Sequence, residues 1–271
     1  MPGPRLRVAI AGLGAIGSEL ARRLPDEVPG LELAAVSARD HDKARHTLSS
    51  FGRDGVPVVA VEELAEHADA VIECAPRQVL ETLAESVLGA GKELIVLSAG
   101  ALLDYPEWIE LAERTGGRIT VPTGALVGLD AVAAAALADV ESLKITSSKP
   151  VAGLLGAPEI ERLGVDLEGL EEPLCVFAGT ARDAARGFPA NLNVTVALAL
   201  AGPGPDRTEV EVWADPHAVY NQHRIELRSS VANLSLMIQN VPSENPRTGR
   251  ITALSVVSLL RKRVATLSVG S

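Results

Sequence analysis

Val8 to Gly17 reads VAIAGLGAIG, a short apolar run followed by three glycines, Gly12, Gly14 and Gly17, at the G-x-G-x-x-G spacing. Ser18 to Leu24 then places Leu20 and Ala21 where a helix would face a sheet. Strand, tight turn, helix is the order a dinucleotide pyrophosphate needs. It must approach main-chain N–H groups at a helix N-terminus, where the helix dipole favours negative charge. Gly12 permits the turn, a side chain at 14 would hold the phosphates off, and a small residue at 17 lets helix and strand pack closely. Gly12, Gly14, Ala15, Ile16 and Gly17 are therefore the first candidate cofactor contacts. A glycine turn that merely joins two elements is the competing explanation, and the apolar run before it and helical pattern after it favour the cofactor.

Leu31 to Ser37 (LELAAVS) predicts a second strand, apolar at most positions as parallel strands buried on both faces are. An enzyme that insists on NAD usually carries Asp or Glu at this strand end to take the ribose hydroxyls. Here Ser37, Ala38 and Arg39 come first and Asp40 follows, a pattern open to NAD or NADP. Arg39 is a candidate for a 2′-phosphate, and a solvated loop charge is the equal alternative. Val56 to Val61, Ala70 to Cys74, Glu93 to Leu97 and Arg118 to Val121 predict further strands, with helices over Val61 to Ala68, Val79 to Ala90 and Trp108 to Arg114. The fourth strand ends in Ala75 and Pro76, and the fifth in the small-residue turn Ser98, Ala99, Gly100, Ala101. Ala75, Pro76, Ala99 and Gly100 are candidate cofactor contacts, because ligands meet open sheets at strand ends. Glu73 at the end of the fourth strand is expected to be an exposed or capping charge, with a site carboxylate as the alternative.

This alternation predicts an α/β fold, a Rossmann-type doubly wound, mainly parallel sheet over residues 1–122. Residues 123–245 predict a second α+β domain. Pro122 to Val132 (PTGALVGLDAV) leads into a helix from Leu129 to Ala138, and Val140 to Ser147 predicts a strand. Leu154 to Glu172, rich in Gly, Pro and acids, reads as a mobile or lid-like insertion. Cys175 to Gly179 predicts a strand and Ala181 to Gly187 a helix, and Asn191 or Asn193 leads an apolar helix. Thr208 to Ala214, Gln222 to Ser229 and Asn233 to Gln239 alternate with the period of a largely antiparallel sheet. A helix from Thr248 to Arg263 is expected to return to the first domain, completing it with residues 246–271.

Composition excludes several classes. Cys74 and Cys175 lie far apart without C-x-x-C spacing, so neither a disulfide framework nor a metal site is expected. A net charge of −10 argues against nucleic acid as a partner, which needs a concentrated basic face. No apolar run approaches the roughly 20 residues that span a bilayer, and Met1 to Arg7 lacks signal-peptide order. The expectation is a cytoplasmic protein with no membrane partner.

Five histidines are present. His41, His46 and His67 fall in stretches where solvation is expected, and His217 follows Asp215 and Pro216 in a turn. Alternation puts His223 on the face of Ile225 and Leu227, directed at either the core or a cleft. A satisfied core histidine and a catalytic one stand equal on spacing alone.

Taken together, GLGAIG at 12–17, LSAGAL at 97–102, PTGALVGLDAV at 122–132, SSKP at 147–150, FPANLNV at 188–194, DPHAVYNQH at 215–223 and NPRTGRITALS at 245–255 resemble the L-aspartate dehydrogenase family. The resemblance runs end to end and is weakest at 151–172. It implies a homodimeric enzyme in which NAD or NADP accepts hydride from the alpha carbon of L-aspartate, giving iminoaspartate and then oxaloacetate with ammonia. It also implies nicotinamide-side contacts at Ala125 and Asn193 and an active-site role for His223. Asn193 as a simple helix cap or Asx turn is the alternative. The family more often has Ser-Gly-Ala where this chain has Thr123, Gly124 and Ala125, and Arg-Lys-Pro where it has Ser148, Lys149 and Pro150.

Amine oxidation needs a proton acceptor that titrates near neutrality, which suits histidine. A small dicarboxylate substrate needs cationic or N–H clamps. Lys149, expected in a turn at a strand end, is the first choice, with a snorkelling surface lysine as its alternative. Thr123, Ser147 and Ser148 are neutral donors. Two other functions fit the same pattern: an NAD(P)H-dependent imine or carbonyl reductase acting on another small carboxylate, and a non-catalytic nucleotide-binding sensor.

Overall fold

The computed structural model describes residues 5–167, 169–189, 192–241 and 249–270. The chain divides into two compact units, Met1–Pro122 with Ala253–Val269, and Thr123–Thr252 with Gly270–Ser271.

The first unit runs β1 (Leu6–Ala11), α1 (Ala15–Glu27), β2 (Leu31–Ser37), α2 (His41–Ser50), β3 (Val58–Val59), α3 (Leu64–His67), β4 (Ala70–Glu73), α4 (Leu80–Gly89), β5 (Glu93–Val96), α5 (Glu107–Thr115) and β6 (Arg118–Thr120). All six strands are parallel, in the order β3-β2-β1-β4-β5-β6. Because successive side chains point to opposite faces, Val8, Ile10, Ile72 and Ile95 bury one face against Leu20 and Leu24 of α1. Ala9, Val71, Leu94 and Val96 bury the other against Leu83 and Val87 of α4 and Trp108 of α5. The winding reverses between β1 and β4, which places the glycine turn at the crevice where open sheets take ligands.

The expected third strand shrinks to two residues. After β5 the small-residue turn tightens into a 3₁₀ segment, Ala99–Leu103. α2 has an N-cap in Asp40, whose carboxylate accepts the Lys43 N–H at 3.0 Å.

The second unit runs α6 (Leu129–Ala135), β7 (Val140–Pro150), α7 (Pro158–Leu163), β8 (Leu174–Thr180), α8 (Ala181–Gly187), α9 (Asn193–Ala201), β9 (Thr208–Asp215), β10 (Asn221–Ser229) and β11 (Asn233–Asn240). Its sheet order is β11-β10-β7-β9-β8, antiparallel at every pairing except β7 with β9. Leu143, Ile145, Val210, Val212, Ile225 and Leu227 form the core with Leu198 and Ala199 of α9 and Phe188 after α8.

Two expectations change here. β7 runs through Pro150, because its parallel ladder with β9 continues to the Pro150–Asp215 pair, so Lys149 is in a strand rather than a turn. Residues 154–167 pack into the core rather than forming a lid: Leu154, Ala157, Ile160 and Leu167 are buried there. The glycine and proline that suggested a loop punctuate α7 instead, with Pro158 in its first turn and Gly164 closing it at φ 63°. The last helix, α10 (Ile251–Val264), packs Ala253, Val256, Val257 and Leu260 among the residues of β1 and α1. Asn191 as helix leader, and Asn245, Pro246 and Thr248 before the last helix, lie outside the described residues.

Candidate active site

The first unit holds a groove of about 960 Å³ lined by Gly12, Gly14, Arg39, Lys43, Ala75 and Pro76 among others. Gly12 sits at φ 95°, and a Cβ there would come within 2.6 Å of the Cys74 carbonyl oxygen. A Cβ at Gly17 would lie 1.9 Å from the Gly12 carbonyl oxygen, so the helix rests directly on the turn. Gly14 is different: nothing lies within 4 Å of a Cβ placed on it. Open space at the first amides of a 13-residue helix is the cradle an anionic pyrophosphate fits.

The predicted cofactor residues separate on this geometry. Gly12, Gly14, Arg39, Ala75 and Pro76 line the groove, while Gly17 is buried behind it as a packing position. Ala15 is exposed and Ile16 half-buried at the start of α1. Ala99 and Gly100 do not line the groove and lie on the turn after β5.

Lys43, His41 and Thr47 of α2 line the groove and were not anticipated. Their signal was Asp40 as a cap, followed by Ala44 and Leu48 four residues apart, which turns the start of a helix toward the end of β2. Among the described residues no carboxylate lies in ion-pair range of Arg39 or Lys43.

Glu73 is neither exposed nor capping. It is 1% exposed at the end of β4. Its carboxylate accepts the N–H groups of Leu97 and Ser98 at 3.0 and 2.8 Å and the Ser98 hydroxyl at 3.1 Å. Burial pushes its pKa up, and these donors partly offset that rise.

In the second unit, the core-facing side of the sheet changes from apolar to polar along its strands. β7 presents Leu143, Ile145, Ser147 and Lys149, while β10 presents Leu227, Ile225, His223 and Asn221, with His223 opposite Ser147. Ser147 is fully buried, His223 is 2% exposed and Lys149 is 3% exposed. The Ser147 hydroxyl lies 2.8 Å from Nδ1 of His223. Burial lowers His223 to about 3, and the nearby charge of Lys149 adds to the shift. Burial alone lowers Lys149 to about 8. Its 3% exposure removes the snorkelling alternative, and no described carboxylate pairs with it.

The other expected donors are not in this cluster. Ser148 points to the opposite face by alternation, where its hydroxyl is 3.4 Å from the Asp215 carboxylate. Thr123 is exposed, and so is His217. Ala125 is buried, and its carbonyl accepts the Asn240 side-chain amide at 2.8 Å. Asn193 is the first residue of α9, with Leu192 as the cap, so it is not the cap itself.

A parallel sheet with a glycine turn at its switch point, a groove for an extended nucleotide and a second unit carrying a buried His–Lys pair define an NAD(P)-dependent dehydrogenase. Residues 12–122 match the family model described as the NAD-binding domain of homoserine dehydrogenase, and residues 130–263 match the C-terminal model of aspartate dehydrogenase. The chain is 55% identical to L-aspartate dehydrogenase 3 of Bordetella bronchiseptica over 98% of both chains. It is 53% identical to the L-aspartate dehydrogenase of Bradyrhizobium diazoefficiens over 98% of this chain and 94% of that one. The crystal structure of aspartate dehydrogenase from Thermotoga maritima shares the fold with a TM-score of 0.71 at 22% identity, covering 98% of this chain and all of that one. The chain belongs to the L-aspartate dehydrogenase family.

Proposed function

We propose that the chain oxidises L-aspartate at its alpha carbon, with residues 1–122 and the last helix binding NAD or NADP and residues 123–245 binding substrate. The observation that carries the assignment of roles is the buried cluster of Ser147, Lys149 and His223 at the polar end of one sheet face. When bound, the nicotinamide supplies the hydride acceptor for the oxidation to iminoaspartate, from which water releases oxaloacetate and ammonia.

The residues divide the remaining work. Gly12, Gly14, Ala15 and Ile16 meet the pyrophosphate at α1, Arg39 the adenosine ribose, and Ala75, Pro76, Ala99, Gly100, Ala125 and Asn193 the nicotinamide half. Lys149, a buried cation with no carboxylate partner among the described residues, holds a substrate carboxylate, because its desolvation is relieved by an opposite charge. His223 stays neutral at working pH and keeps a lone pair available. Burial is the larger cause of the low basicity of His223; a carboxylate beside Lys149 would offset the smaller contribution, that of the lysine charge, and so raise the basicity in part as the amine loses its proton. The same reading makes the enzyme a cytoplasmic homodimer assembled through the second unit. Among the described residues no helix is long and apolar enough to cross a membrane.

The low exposure of His223 also favours a second reading of that residue, an interior histidine satisfied by Ser147. The deciding experiment follows nicotinamide absorbance with purified protein, L-aspartate against other amino acids, NAD and NADP in parallel, at alkaline pH. Reduction that depends on L-aspartate is expected. Silence with aspartate, in protein that binds the cofactor, overturns the assignment.

A further inference from the structure

Glu73 presents an energetic problem that its surroundings solve in an instructive way. A carboxylate 1% exposed inside a parallel sheet is strongly disfavoured unless it is hydrogen-bonded. Among the described residues no cation is in ion-pair range of it, and the groups that favour its charged form are neutral donors. Those donors come from two separate strand ends, Ala75 after β4 and Leu97 and Ser98 after β5. Leu97 and Ser98 direct their amides to a side chain where a strand would have directed them to a neighbour, and the chain turns immediately into the 3₁₀ segment Ala99–Leu103.

The same short stretch touches the glycine turn. A Cβ placed on Gly12 would meet the Cys74 carbonyl oxygen at 2.6 Å and the Ala75 Cα at 3.0 Å, and Ala75 and Pro76 line the groove. One carboxylate thus sets the direction in which the chain leaves the neighbouring strands β4 and β5. We propose that Glu73 is a positioning residue for the cofactor, fixing the 75–76 and 98–100 turns in the arrangement that receives the nicotinamide half. This rests on the dehydrogenase reading above.

A dinucleotide and its adenosine fragment separate positioning from mere stability. ADP probes the pyrophosphate and adenosine end, whereas NADH and NADPH probe the whole groove, and Kd is read by fluorescence and calorimetry without turnover. Glu73→Ala is expected to weaken binding of the reduced dinucleotide by about tenfold or more while changing ADP affinity less than about twofold. Glu73→Gln keeps a carbonyl oxygen for the Leu97 and Ser98 amides and is expected to restore most of the lost affinity. Equal weakening of both ligands, or no change in either, overturns the proposal. Should Glu73→Ala fail to fold, Glu73→Gln with Ser98→Ala carries the same comparison, since Ser98 donates to the carboxylate with its hydroxyl. Dinucleotide binding without oxidation of aspartate would overturn the activity and leave this comparison intact.

Discussion

The Ser147 hydroxyl and Nδ1 of His223 lie 2.8 Å apart on facing strands, both shut away from solvent. A neutral imidazole has one donor and one acceptor nitrogen, and the partner of one nitrogen sets the state of the other. For Nε2 to accept a proton, Nδ1 must carry the hydrogen and donate it to the serine oxygen. Ser147→Ala removes that acceptor. A fall in kcat of about tenfold is expected with cofactor affinity unchanged, and His223→Ala should cost about 10²-fold or more. Steady-state kinetics beside a cofactor titration checks both, and full turnover in His223→Ala would remove the imidazole from the mechanism.

Lys149 should govern substrate affinity. Lys149→Met is expected to raise the KM for L-aspartate by about tenfold or more with little change in cofactor Kd. In the wild type the free lysine loses its charge as pH rises through about 8, so affinity for a non-aminated dicarboxylate such as succinate should decline above that pH. The variant should show no such decline. Calorimetric titrations of succinate between pH 7 and 10 provide the comparison.

The same residue has a cost in stability. Its folded pKa of about 8 lies below the ordinary lysine value of 10.5. The folded state therefore binds the proton less tightly than the unfolded chain does. The penalty is fully present below pH 8, on the order of 3 kcal/mol, and disappears as pH rises toward 10.5. Lys149→Met should melt several degrees above the wild type at pH 7, with the gap closing at high pH. A lower Tm at pH 7 would show that the lysine is stabilised by a partner in the fold.

Cofactor choice should respond to α2 as well as to the end of β2. Asp40 is engaged with the Lys43 N–H, and Arg39 and Lys43 present two cations along the groove. Arg39→Asp combined with Lys43→Glu is expected to lower the NADP/NAD ratio of kcat/KM by about tenfold or more, through repulsion of the 2′-phosphate. A ratio that does not move would separate these side chains from the ribose.

The first unit was legible because its signals are local. The glycine spacing, apolar strands and helix stripes each occupy a short window, and β2 matches its predicted bounds, Leu31–Ser37. What escaped depended on partners distant in sequence. The Lys149 strand exists because β9 extends the ladder to Asp215, and Asn240 finds Ala125 across 115 positions. Alternation did place His223 on the face of Ile225 and Leu227, but Ser147 as its partner follows only from the register of β7 on β10. Glu73 looked ordinary because a strand-end acid usually meets water, and nothing nearby in sequence shows that residues 97 and 98 supply its donors.

The placement of α10 has a consequence for how the molecule comes into being. Val8 and Ile10 share their core with Val256, Val257 and Leu260, so one side of the first sheet lacks part of its cover until α10 has been synthesised. During translation the intervening 130 residues of Thr123–Thr252 emerge while that apolar side is still incomplete. A ribosome stalled after the second sheet would hold a nascent chain with an exposed sticky surface, the kind of species that recruits chaperones.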